Sequence, residues 1–178
     1  TIVNDDGHLT GYNTDYTAVI NLLRAHDVDP DLHVALRGSG GMANAVIAAL
    51  TDHGMRGTVV ARNHTTGAAL AQRYGWEYSA QVPEHAQGLV NVTPLGMNGP
   101  DEDVVAFDRD EIDRAEVIFD CVAFPVEPPL IRLARSQGKK TIDGGEVAAL
   151  QAAEQFHLYT GVRPTDEQII AAEEYAAP

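Results

Sequence analysis

The chain has 178 residues, 44% of them hydrophobic, and its 12 lysine and arginine residues against 26 acidic residues give a formal net charge of −14. This charge argues against non-specific binding to nucleic acid or to an anionic membrane, because both require a basic surface. With no apolar run of about 18 residues and no signal-peptide pattern, we expect a cytoplasmic protein that does not insert into membranes.

Segments with helical periodicity alternate with short apolar segments along the chain. Helices are predicted at 16–25, 41–53, 65–74, 128–137, 147–157 and 165–176, and strands at 33–36, 58–61, 89–92, 117–122 and 140–142. Such alternation is typical of a parallel sheet with helices on both faces. We therefore predict one α/β domain in which helices at both ends of the chain flank the sheet.

Residues 32–62 form the most informative stretch. An apolar strand runs into a glycine turn, the turn opens an alanine-rich helix, and a second apolar strand follows. Gly38 allows the sharp turn, Gly40 removes a Cβ from the path of a pyrophosphate, and Gly41 begins the helix. Ala43 lets the helix pack closely on the strand, and Ser39 and Met42 complete the predicted phosphate-binding turn. The alternative is a glycine turn that binds no ligand.

The end of the second strand indicates which dinucleotide is bound. An NAD-selective site carries an acid about twenty residues beyond the glycines, where it bonds the ribose hydroxyls. This chain has Ala61, Arg62, Asn63 and His64 there instead. A guanidinium can bind a 2′-phosphate bidentately, so we predict NADP as the cofactor and Arg62 as the discriminating residue. The alternative is a solvated arginine at a strand end.

Three further polar clusters lie where a loop follows a strand or opens a helix. Asp15 ends the cluster GYNTD, and it could equally be the N-cap of the first helix. The cluster NVTPLGM at 91–97 follows an apolar strand, at the edge where open α/β sheets bind ligands. The cluster DGGE at 143–146 could be a plain tight turn.

The remaining titratable residues give weaker signals. The single cysteine, Cys121, cannot form an internal disulfide and is expected to be a buried small side chain. The seven histidines show no metal-ligand spacing, so no metal site is predicted. Only His64, beside Arg62, has a functional argument.

In their order these motifs resemble the cofactor-binding part of the shikimate dehydrogenases. The matching segments are 11–15, 38–45, Arg62, 91–97, 120–125, and Gly144 followed by Gln151 and Ala152. The strings GSGGMANAV, VARN and FPVEPPLIR are closest to the divergent shikimate dehydrogenase-like branch of that family.

The resemblance implies a Rossmann-type fold and a reversible, NADP-dependent reduction of 3-dehydroshikimate to shikimate, a step of aromatic amino-acid biosynthesis. It implies that Asp15 is catalytic and binds substrate beside a lysine of an N-terminal substrate domain, and that Gln151 contacts substrate hydroxyls. It also implies further residues that line the dinucleotide: Asn91, Val92, Thr93, Met97, Val122 and Gly144.

Departures from the family pattern keep other interpretations open. The chain begins at Thr1, only a short way before Asp15, so we expect that the substrate domain is absent and that this polypeptide alone is inactive. Thr66 stands where a second basic residue often follows, Ala123 where a tyrosine is usual, and Val147 where a methionine is usual. Quinate or a related cyclic hydroxy acid, NAD as cofactor, and a non-catalytic dinucleotide-binding module therefore remain alternatives, and a homodimer remains open.

Overall fold

The computed structural model describes residues 1–176, without the side chains at positions 173, 174 and 176. A two-stranded antiparallel hairpin, β1 (Ile2–Asp5) and β2 (His8–Gly11), leads into the first helix, α1 (Thr14–Ala25). The sequence predicted the helix but not the hairpin. The two strands of the hairpin have four residues each, are largely exposed and carry no clear apolar alternation, so their pattern does not indicate a strand.

A six-stranded parallel sheet forms the centre of the fold. Its strands are β3 (His33–Arg37), β4 (Arg56–Val60), β5 (Glu77–Ser79), β6 (Gly88–Asn91), β7 (Val117–Asp120) and β8 (Lys140–Ile142). They are hydrogen-bonded in the order β5-β4-β3-β6-β7-β8. The chain proceeds outward from β3 to β5 and then returns to β6 on the other side of β3. A crevice opens at the carboxyl ends of strands where the order reverses in this way.

Helices cover both faces of the sheet, as the sequence predicted. They are α2 (Gly41–Asp52), α3 (His64–Tyr74), α4 (Arg109–Arg114), α5 (Pro129–Ser136), α6 (Gly144–Thr160) and α7 (Asp166–Ala176). Side chains of each strand alternate between the two faces. Val34 and Leu36 of β3 pack with α1 and α2, whereas Ala35 packs with Ile112 of α4 and Leu130 of α5.

Three differences from the predicted elements have local causes. Strand β5 has only three residues, and α4 has six within an acidic segment, so neither gives a usable periodicity. Helix α6 begins at Gly144 rather than at Val147, because Asp143 and Glu146 form a capping box. The predicted cap of α7 is present, since Thr165 Oγ1 accepts from the Gln168 N–H at 3.3 Å and Gln168 Oε1 accepts from the Thr165 N–H at 3.0 Å.

His33, at the start of β3, packs against a second histidine, His85. Its ring packs edge-on against His85 with centroids 4.3 Å apart, and its Nε2 lies 3.1 Å from Thr58 Oγ1. Burial and then the neighbouring His85 lower the pKa of His33, while Glu77 acts weakly in the opposite direction. The folded state therefore binds a proton at this site less readily than the unfolded chain does.

The first prediction concerns Gly57 in β4. A Cβ at this position would overlap the Val34 carbonyl oxygen and approach the Trp76 ring to 2.9 Å. Gly57→Ala should lower the free energy of unfolding by about 3 kcal/mol, measured by urea denaturation. Gly11→Ala is the control, because no atom lies within 4 Å of its added Cβ. Equal unfolding midpoints for the two variants would contradict this account of the strand packing.

The second prediction concerns His33 and acid. As the pH falls below about 6.5 the unfolded chain takes up a proton that the folded chain resists, so the free energy of unfolding should decrease. His33→Asn should reduce that decrease between about pH 7.5 and pH 5.5. His8→Asn, at an exposed position in the hairpin, should leave it unchanged. If all three proteins lose stability equally, His33 is not the sensitive group.

Candidate functional site

Two hollows contain most of the predicted site residues. The first, called here the glycine-loop cleft, has a volume of about 440 Å³ and lies at the reversal of strand order. Its lining comes from the ends of β3, β4 and β6: Arg37, Gly38, Ser39, Gly40, Val60, Ala61, Arg62, Asn63, Ala80, Val92, Thr93, Pro94, Leu95 and Asp101. The second, the Asp15 hollow, has a volume of about 450 Å³ and is open to one side. Its lining is Thr1, Ile2, Gly11, Tyr12, Asn13, Thr14, Asp15 and Gln151.

The glycine turn is built as the sequence predicted. Gly38 has φ +125°, donates its N–H to the Val60 carbonyl at 2.9 Å, and has no room for a Cβ because one would lie 2.8 Å from Val92 Cγ2. Gly40 is the N-cap of α2 and faces open space. No side chain caps α2 and no acid lies in its first turn. The first N–H groups of α2 therefore remain available to an anion.

Arg62 lies at the rim of this cleft, directly after β4. It is exposed, and it takes part in none of the ion pairs among residues 1–176. Asn63 is the N-cap of α3, and its side chain accepts from the Thr66 N–H at 3.2 Å. The hydroxyls of Ser39 and Thr66 lie 2.7 Å apart and join the glycine turn to α3. One guanidinium and two hydroxyls thus surround this end of the cleft.

The loop after β6 is held from below by Asn91, which is completely buried. Its Nδ2 donates to the Leu95 carbonyl at 3.2 Å and to Asp120 Oδ1 at 2.9 Å, and its Oδ1 accepts from the Thr93 N–H at 3.0 Å and hydroxyl at 2.6 Å. Val92 and Thr93 line the cleft, whereas Asn91 does not. Asn91 therefore shapes the cleft by fixing Thr93.

The other residues predicted to bind the cofactor lie outside the lining of the cleft: Gly41, Met42, Ala43, His64, Asn91, Met97, Val122 and Gly144. Ala43 is fully buried and packs α2 against the sheet, as its place in the glycine motif predicted. The His64 ring packs edge-on against Tyr78 with centroids 5.0 Å apart. Gly144 is buried, and a Cβ there would overlap the backbone of Val122.

Asp120 and Arg37 have local environments that sequence reasoning did not anticipate. Asp120 ends β7, is completely buried, and has a pKa raised to about 7, mainly by burial. Arg37 ends β3 in the lining of the cleft, with its guanidinium 4.8 Å from the centre of the Phe107 ring and 3.7 Å from a Glu111 oxygen. In the sequence, each of these two charged residues ends an apolar strand, and that position was the signal that could have marked it as a candidate site residue.

Asp15 and Gln151 come together because α1 packs against α6. Asn13 is the N-cap of α1 and accepts from the Tyr16 N–H at 3.0 Å, so the alternative that Asp15 caps the helix is wrong. The carboxylate of Asp15 lines the hollow instead. It also lies near the carboxyl end of β7, since Asp15, together with burial and Asp120, raises the pKa of the Cys121 thiol.

Cys121, which the sequence predicted to be a buried small side chain, is partly exposed as a residue, although burial raises the pKa of its thiol. It follows β7 and packs against the larger core cluster. Among the described residues, no group of histidine, cysteine and acidic side chains could hold a metal ion. In the same part of the chain, no helix is long and apolar enough to cross a membrane.

The chain is similar in sequence to known proteins, although it matches none of the family models. A shikimate dehydrogenase-like protein from Haemophilus influenzae is 48% identical over 179 residues, which cover 99% of this chain. The chain spans 66% of the length of that relative.

Several solved structures share the fold of this chain. A shikimate 5-dehydrogenase-like protein is 47% identical, with a TM-score of 0.95 over 99% of this chain and 67% of that one. Shikimate 5-dehydrogenase from Thermus thermophilus, in complex with NADP(H) and shikimate, is 27% identical, with a TM-score of 0.85 over 98% of this chain and 67% of that one.

A third solved structure is quinate dehydrogenase from Corynebacterium glutamicum in complex with NAD. It is 31% identical, with a TM-score of 0.82 over 97% of this chain and 65% of that one. The sequence relative and the first of these solved structures match nearly the whole chain at 47–48% identity, and all three structures share its fold. The chain therefore belongs to the shikimate dehydrogenase family of oxidoreductases.

Proposed function

We propose that this chain is the NADP-binding part of an enzyme that reversibly reduces 3-dehydroshikimate to shikimate. The observation that carries the proposal is the pairing of two hollows: one has an uncapped helix N-terminus and a free guanidinium, and the other has a carboxylate and an amide. Family membership supplies the reaction class, and the solved relative from Thermus thermophilus holds NADP(H) and shikimate.

The residues of the glycine-loop cleft fit a dinucleotide. Gly38 and Gly40 leave the turn without side chains, and the open N-terminus of α2 favours a diphosphate. Arg62 lies where the adenosine ribose would end, and its charge suits a 2′-phosphate. When bound, the cofactor would supply the hydride chemistry, while the protein fixes orientation.

The Asp15 hollow fits a polyhydroxylated ring. The Asp15 carboxylate can accept a hydrogen bond from the reacting hydroxyl, and the Gln151 amide can both donate to and accept from a neighbouring hydroxyl. In this proposal a lysine from the remainder of the protein relays the hydroxyl proton, accepting it during oxidation and returning it during reduction, and Asp15 orients that lysine and tunes its proton affinity. Residues 1–178 then form the cofactor domain, an N-terminal domain supplies the lysine, and this chain alone is inactive.

A second candidate, a quinate or shikimate dehydrogenase that also uses NAD, is favoured by one observation. The Thr66 hydroxyl lies 2.7 Å from that of Ser39, and two arginines, Arg37 and Arg62, line the cleft. Arg37 is already paired with Glu111 and packs on the Phe107 ring, which leaves Arg62 as the arginine available to a 2′-phosphate. A hydroxyl pair can accept from a ribose hydroxyl as well as donate to a phosphate. The preference for NADP should therefore depend on Arg62 alone.

The third prediction tests that dependence by calorimetric titration of the chain with NADP⁺ and NAD⁺. NADP⁺ should bind more tightly, and Arg62→Ala should remove most of the difference, about 1.5–3 kcal/mol, because the lost contact is charge-assisted. Arg56→Ala is the control, since Arg56 lies at the amino end of β4 and the cleft lies at the carboxyl end of that strand. If neither nucleotide binds at millimolar concentration, or if Arg62→Ala leaves the difference intact, the assignment of this cleft fails.

The fourth prediction tests Asp15 in the full-length enzyme. Asp15→Asn keeps the size of the side chain and removes its charge, so kcat for shikimate oxidation should fall by about 10²–10⁴ while NADP⁺ binding stays unchanged. Asp52→Asn, which removes a carboxylate that accepts from the Tyr16 hydroxyl at 2.8 Å, should retain activity. Full turnover by Asp15→Asn would exclude the catalytic role.

A further inference from the structure

The loops after β6 and β7 are joined beneath the glycine-loop cleft by one carboxyl group. Asp120 Oδ1 accepts from Asn91 Nδ2 at 2.9 Å and from the Val122 N–H at 3.1 Å. Asn91 in turn holds both the N–H and the hydroxyl of Thr93, which lines the cleft. The position of Thr93 therefore depends on Asp120 through a single intermediate side chain.

The same carboxyl group fixes the loop after β7 against the start of α6. The Val122 N–H is held by Asp120, while the Val122 carbonyl packs against Gly144 so closely that no Cβ could be accommodated there. Because Gly144 begins α6, which carries Gln151, the Asp120 carboxyl lies at the junction of three segments. Two of these segments line the hollows assigned above.

We propose that Asp120 is a positioning residue for dinucleotide binding, and that its uncharged form holds the two loops in the binding arrangement. The inference rests on the proposed function only in taking the glycine-loop cleft as the cofactor site. Both available N–H donors reach Oδ1, and Oδ2 is buried with no hydrogen-bond partner among the described residues. A carboxylate charge on Asp120 would therefore be buried with one oxygen lacking a donor, and only the two bonds to Oδ1 would offset the cost of its burial.

The surrounding groups act on the pKa of Asp120 in both directions, and burial outweighs the rest. From the start of α6, the Asp143 carboxylate disfavours a second negative charge, and Arg135 is already paired with Asp143 and Glu127. On the loop after β7, the Cys121 thiol has a pKa raised well above its usual value by burial, by Asp120 and by Asp15 of α1. Hydrogen bonds from the Asn91 amide of β6 and from the Val122 N–H lower the pKa of Asp120 but do not offset its burial. The carboxyl group consequently changes charge near neutral pH.

The direction in which pH changes dinucleotide binding follows from the lack of a hydrogen-bond donor to Asp120 Oδ2 among the described residues. As the pH rises through about 7, Asp120 loses its proton, and the buried charge gains hydration when the loops separate enough for water to reach Oδ2. The same charge repels a diphosphate bound above it. Both effects weaken dinucleotide binding at high pH and leave it strong at low pH.

The fifth prediction is tested by titrating wild type, Asp120→Asn and Asp52→Asn with NADP⁺ at about pH 6 and about pH 8.5. The 2′-phosphate also titrates in this range, but its contribution is shared by all three proteins. Between the two pH values, Kd of wild type should rise about tenfold relative to that of Asp120→Asn, the equivalent of one pKa unit of coupling. Asp52→Asn should follow wild type, since Asp52 bonds only the Tyr16 hydroxyl at the far end of α2.

A second measurement needs no variant. The backbone amide resonances of Thr93 and Val122 in the wild-type protein should shift with one common midpoint near pH 7. Identical pH profiles for wild type and Asp120→Asn, or amide resonances with no shared midpoint near neutral pH, would overturn the proposal. If no NADP⁺ binds at any pH, the cofactor assignment fails, and the amide titration still decides whether Asp120 couples the loops.

Discussion

The close packing of Gly38 between β4 and β6 is the constraint on which the cleft depends. Gly38 bonds the Val60 carbonyl on one side and leaves no space for a Cβ beside Val92 on the other. The turn can therefore pass between the ends of two strands only with a positive φ and no side chain. This passage directs α2 back across the sheet and leaves its first N–H groups facing the crevice.

The hollow that contains Asp15 depends instead on how two helices begin. Asn13 caps α1, which releases the Asp15 carboxylate from the helix end. The capping box of Asp143 and Glu146 begins α6 beside the end of β7. Each cap fixes the rotation of its helix, so the carboxylate of α1 and the amide of α6 reach the same space.

A polar network ties the opposite end of α1 to α6. His26 Nε2 lies 2.6 Å from Glu146 Oε1, and the Lys140 ammonium donates to the His26 carbonyl at 3.0 Å and to the Asp27 carbonyl at 3.1 Å. Lys140 begins β8, so the end of α1, the edge strand and the start of α6 form one hydrogen-bonded unit. A cation at the last carbonyls of α1 also suits the helix dipole. The two helices that line the Asp15 hollow are thus tied together at the end of α1 that lies away from Asp15.

The sequence alone determined the α/β class, the alternation of strands and helices, and the roles of Gly38 and Ala43. These follow from local periodicity and from steric limits on single residues, which neighbouring letters record. The hairpin, β5 and α4 could not be predicted, because such short segments are stabilised by their neighbours and not by their own pattern. Only the tertiary structure decided that Asn13 rather than Asp15 caps α1, that Asn91 lies beneath the cleft, and that Asp120 joins two loops. The Asn13 cap is a local bond from the Tyr16 N–H, and the backbone path into α1 decides which of the two side chains makes it. Asn91 and Asp120 are distant in sequence and meet at one edge of the sheet, where burial and hydrogen-bond geometry assign their roles.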